Sequence, residues 1–131
     1  MKAATHMVAV GLASIIVLML GACAYSQSRL GESGGTGMDI VVSGRDPASM
    51  FQIGRAVLEE SGCAVTKVEE HNNLAVLYCH GSQVGNGKLE IESLSRSSHR
   101  LTMWNSMPGM SMKSKEISFV DRVLQTIKTK M

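Results

Sequence analysis

The sequence predicts a two-layer α+β domain, a mostly antiparallel five-stranded sheet with two helices, in the order β-α-β-β-β-β-α. Three observations carry this. Two segments place apolar residues at steps of three and four, the period of a helix with one buried face. Five other segments are short, β-branched and bounded by Gly, Pro, Asn or Ser, as strands are. One of them, Lys88–Ser95, alternates Leu89 and Ile91 with Glu90 and Glu92, the pattern of a sheet covered on one side only. Aromatic residues make up 4% of the 131-residue chain, so Val, Ile, Leu and Met must fill the core.

The chain begins with a segment of another kind. Lys2 and His6 lie in a short polar start, and Met7 to Leu20 is apolar apart from Gly11 and Ser14. That run is shorter than the ~20 residues a spanning helix needs and has the layout of a signal peptide. It ends in Leu20-Gly21-Ala22-Cys23. This tetrapeptide resembles the lipobox of bacterial lipoproteins: an aliphatic residue, two small residues and a cysteine. The resemblance implies that residues 1–22 are removed and that Cys23 is acylated on its thiol and its new amino group. In that family an Asp after the Cys retains the protein in the inner membrane. Ala24 stands here, which implies outer-membrane delivery with the domain in the periplasm. A plain secretory signal and an uncleaved anchor are the alternatives. Residues 23–37 follow as the lipidated Cys and a Gly/Ser-rich tether, with a random-coil reach of roughly 20 Å.

Residues 38–131 are read as the single folded domain. Met38–Gly44 is the first strand. Asp46-Pro47 opens a helix, Asp46 as N-cap and Pro47 as first helical residue. Met50, Phe51, Gly54, Val57 and Leu58 share its inner face, and Gly62 stops it. Gly54 on that face implies close approach to the sheet. Cys63–Glu69 and Leu74–His80 are strands about the turn Glu70-His71-Asn72-Asn73. Gly81–Gly87 is a loop, Lys88–Ser95 and His99–Asn105 are the last two strands, and Ser106–Ser114 is a Met-rich loop. Lys115–Lys130 is the closing helix, with Ile117, Val120, Leu124, Ile127 and Met131 as its apolar stripe. The layout is similar to that of several families of small envelope lipoproteins.

With Cys23 assigned to lipid, Cys63 and Cys79 remain. A hairpin centred on His71 sets Val68 opposite Leu74, Thr66 opposite Val76, and Cys63 opposite Cys79. Opposed residues come close to disulfide range, and the implied compartment is oxidising. A Cys63–Cys79 disulfide is therefore expected, with buried free thiols or ligating thiols as alternatives.

Four of the ten methionines fall within Met103–Met112. Thioethers are soft ligands that suit Cu(I). The segment Leu101–Met112 resembles the Met-rich loop of small periplasmic copper-resistance carriers, which implies Met103, Met107, Met110 and Met112 as Cu(I) ligands. His99, on the same strand face as Met103, is a further candidate. Methionines also fill irregular gaps and cover adaptable contact surfaces, so packing and partner contact stand beside copper.

Removing residues 1–22 takes away Lys2 alone among charged residues, leaving 12 basic and 11 acidic side chains. That balance and the few aromatics argue against nucleic acid. No phosphate loop, zinc spacing or nucleophile elbow occurs, so an enzyme is not expected. The expectation is a lipoprotein held to the membrane through Cys23 that acts as a non-enzymatic accessory to an envelope protein partner. The alternative is a Cu(I)-binding lipoprotein for copper storage or transfer. An inhibitor also fits the size and the disulfide, without a motif.

Overall fold

The structure, a computed structural model, describes residues 35–109 and 112–131. They form β1 (Thr36–Ser43), α1 (Pro47–Glu60), β2 (Ala64–His71), β3 (Leu74–Gly81), β4 (Gly85–Ser93), β5 (Ser98–Ser106) and α2 (Lys113–Thr129). The element order is the one expected. The strands make one antiparallel sheet in the order β1-β5-β4-β3-β2, and both helices pack on one face of it. The expected signal peptide, Cys23, the expected tether up to residue 34, and Met110 lie outside the described residues. Among those described, no helix is long and apolar enough to cross a membrane.

Helix α1 begins as its sequence requires. The Asp46 carboxylate accepts the Ser49 N–H at 2.8 Å, and Pro47 occupies the first turn. Gly62, with φ +85°, ends it by adopting a conformation that costs glycine little. Gly54 lies so near β4 that a Cβ there would come within 2.9 Å of Leu89 Cδ2. Helix and sheet pack closely because that side chain is missing.

Several boundaries differ from expectation. Strand β1 starts at Thr36, two residues before Met38, because Thr36 is buried with a bonded hydroxyl and Gly37 fits beneath the Trp104 ring. Gly81–Gly87 is not a loop: Gly81 pairs with Gly85, and Gly85 at φ +77° closes a three-residue turn. Strand β4 ends at Ser93, where the chain bends away. Helix α2 starts at Lys113, and its buried face runs through Glu116, Phe119, Val120, Val123, Leu124 and Ile127. Ile117, expected inside, is 43% exposed, since it lies about 60° around the helix from Val120.

The β2–β3 register also differs. The turn is only Asn72-Asn73, with Asn72 at φ +32°, which Asn tolerates. Val68 therefore faces Leu77, not Leu74, and a bulge at Thr66 brings Val65 opposite Cys79. Cys63 precedes the strand and reaches Cys79 diagonally. The disulfide forms nonetheless, with Cα atoms 5.1 Å apart. Gly87 faces it from β4: a Cβ there would come within 2.7 Å of Cys79 Sγ.

Two outcomes follow. Replacing Cys63 and Cys79 together by Ala should lower stability in urea unfolding by about 3 kcal/mol, the chain-entropy value for a loop of this length; an unchanged midpoint would contradict this. Hydrogen bonds from Ser49 hold the Asp46 carboxyl below its ordinary 3.8. The group's contribution is thus present above the ordinary value and lost as pH falls through the lowered one. Asp46→Asn should keep the cap and remove that part of the acid dependence, as read by unfolding curves from pH 5 down to about 2.

Candidate functional site

The first turn of α2 carries a carboxylate turned inward. Glu116 is 4% exposed. Its Oε1 accepts from the Thr36 hydroxyl at 2.9 Å, and its Oε2 accepts from the Met107 N–H at 2.8 Å. A buried carboxylate requires such donors. The result is geometric: the chain's entry into β1, its exit from β5 and the start of α2 meet at one end of the sheet.

A cleft of about 340 Å³ opens beside this meeting point, lined by Val84, Met107, Ser114, Lys115, Ser118, Phe119 and Arg122. Ser114, Ser118 and Arg122 are four residues apart and share one face of α2. Val84, Met107 and Phe119 form an apolar floor, while the two hydroxyls, Lys115 and Arg122 stand at the rim. The Arg122 guanidinium lies 5.6 Å from the Phe119 ring centroid. Buried Asn105 fixes the turn across the cleft by donating Nδ2–H to Val84 O at 2.8 Å and to Asn86 O at 3.0 Å.

The far end of the strands holds a larger cleft of about 610 Å³, between the first turns of α1 and the β2–β3 turn. Phe51, Ala48, Leu74, Ala75 and Ile91 supply apolar walls, and Gln52, Glu70, Asn72 and Asn73 a polar margin.

The sheet face away from the helices is a paired polar surface. Lys88 lies over Trp104 and Lys67 over Tyr78, at 5.6 and 5.3 Å from the ring centroids. Lys67–Glu69 and Arg100–Glu92 pair at 3.0 and 2.9 Å. The Tyr78 hydroxyl donates to Glu69 at 3.2 Å. The Lys67 hydrogen bond holds the Glu69 carboxyl below its usual range and raises the lysine. Burial pushes the Tyr78 phenol up, with Glu69 adding to it.

The residues expected to ligate copper are distributed across this frame. His99 and Met103 point into the core from β5, both fully buried. Met103 adjoins the disulfide at Gly87. His99 donates Nε2–H to Arg45 O at 2.8 Å, and its Nδ1 lies 3.4 Å from Ser93 Oγ. Its ring lies near the start of β5, about eight residues or ~26 Å of strand from Met107. The structure therefore does not bring His99 to the loop. Met107 packs against the core, Met112 is half-buried, and Met110 lies outside the described residues. Trp104 faces away from Met103, as strand alternation requires. Among the described residues, no three His, Cys, Asp or Glu side chains gather as a metal site.

Glu116 escaped the sequence reading. Its signal was its position four residues before Val120, which sets it on the buried stripe. No protein-family model matches the chain, and no curated protein matches it.

Glu116→Ala should cost about 1–3 kcal/mol by leaving the Met107 N–H and the Thr36 hydroxyl without their acceptor. Hydrogen exchange at the Met107 amide should rise while that of Leu89, in the middle of β4, stays slow. Equal protection of Met107 in both proteins would refute the role given to Glu116.

Proposed function

We propose that the chain is a lipid-anchored accessory protein of the bacterial envelope, working by binding and not by catalysis. The observation that carries this reading is Leu20-Gly21-Ala22-Cys23 followed by a short Gly/Ser-rich stretch that leads into the folded domain. The Cys63–Cys79 disulfide supports it, since such bonds persist in oxidising compartments such as the periplasm. Ala24 after the cysteine favours the outer membrane as the address.

The partner is an envelope protein, and the contact is assigned to the far cleft. Phe51 and Leu74 offer apolar area there within a polar margin, the composition of a specific contact surface. The cleft lies at the opposite end of the strands from Thr36, where the tether joins, and so would project away from the membrane.

The full chain, expressed in a bacterium fed labelled palmitate, should incorporate label, fractionate with the outer membrane and lose both properties on Cys23→Ala. Label retained in that variant, or a soluble wild-type protein, would overturn the anchor.

A further inference from the structure

We propose that the end of the domain nearest the tether rests on the anionic phospholipid surface of the membrane that holds Cys23, with Lys113, Lys115 and Arg122 as the headgroup contacts. The inference rests on the lipid-anchor reading and adds to it an orientation and a second ligand, the headgroup phosphate.

Position is the first argument. The Thr36–Glu116 hydrogen bond of 2.9 Å places the junction with the tether beside the first turn of α2. Eleven residues separate Cys23 from Gly35, so the covalent chain holds the two within about 40 Å of each other. A weak attraction at this end of the domain therefore acts at high local concentration.

Charge is the second. Lys113, Lys115 and Arg122 are all exposed. Two acids lie between Lys113 and Arg122: Glu116 is turned inward and hydrogen-bonded, and Asp121 is exposed beside Arg122, which leaves a surplus of two exposed cations. Lys115 and Arg122 lie about 20° apart around α2 and Lys113 on its opposite flank, so the cations surround the helix start. Basic residues next to a membrane attachment point are drawn to anionic lipid.

Apolar surface is the third. Ile117 is 43% exposed on the flank of α2 that carries Lys113, and half-buried Met107 lines the cleft beside Lys115 and Arg122. Cations bordering exposed apolar side chains suit a surface that is charged outside and hydrocarbon within. The Ser114 and Ser118 hydroxyls add donors for phosphate oxygens.

The test uses the full lipidated chain, extracted from membranes and reconstituted into two kinds of vesicle, one containing phosphatidylglycerol and one of phosphatidylcholine alone. Hydrogen exchange is followed in peptides spanning 106–119, with peptides from β3 and β4 reporting the fold. Exchange of 106–119 should slow about fivefold or more on anionic vesicles, the effect of about one basic residue engaged at the surface. High salt should reverse the slowing, and a Lys113→Glu, Lys115→Glu, Arg122→Glu variant should lack it while its β3 and β4 peptides stay protected. Equal exchange on the two vesicles, or slowing that survives the triple variant or high salt, would overturn the proposal. The mass of the Cys23 peptide separates the two readings. An unmodified Cys23 overturns the anchor, whereas a lipidated Cys23 with equal exchange overturns the orientation alone.

Discussion

The carboxylate of Glu116 is the interaction on which the arrangement of this domain turns. A charge taken out of water must be met by donors, or its burial costs more than folding can return. Here each oxygen meets one donor, Thr36 in the first strand and the Met107 amide after the last. Three segments are tied by one side chain: the chain's entry to the sheet, its exit from the sheet and the helix that closes the fold. The small cleft and its basic rim lie where this side chain joins β1, the end of β5 and α2.

The rest of the core is fitted around missing side chains. With few aromatics, the domain relies on close approach of aliphatic groups, and glycine allows it. Gly54 lets α1 settle on Leu89 and Ile91, and Gly87 leaves room for the Cys63–Cys79 disulfide and the end of Met103. Deep packing of this kind compensates for small side chains because dispersion contacts accumulate with proximity. The disulfide then limits the unfolded chain where α1 gives way to β2.

The two ends of the sheet differ in chemistry. One gathers Lys113, Lys115, Arg122 and an apolar floor near Thr36; the other presents a larger apolar cleft between α1 and the β2–β3 turn. The sheet face away from the helices has its cations and carboxylates largely engaged with one another. A lipid-anchored protein with these surfaces would meet its membrane at one end and a protein partner at the other. Met107 packs inward at the end of the sheet that holds Thr36.

Local sequence by itself determined the order of elements, the cap at Asp46, the stop at Gly62, the close approach at Gly54, the inward set of β4 and the identity of the disulfide partners. These follow from periodicity, from backbone conformations open to few residues, and from counting cysteines. The resemblance of Leu20-Gly21-Ala22-Cys23 to a lipobox is likewise a property of four consecutive residues. Tertiary structure alone decided the β2–β3 register, the strand pairing at Gly81–Gly85, the exposure of Ile117 and the inward turn of Glu116. A two-residue turn and a bulge leave little mark on hydrophobic pattern, yet each shifts every pairing beyond it. Whether a glutamate on an apolar stripe is expelled or buried depends on donors supplied by residues as far away as Thr36, and no local pattern in the chain records them.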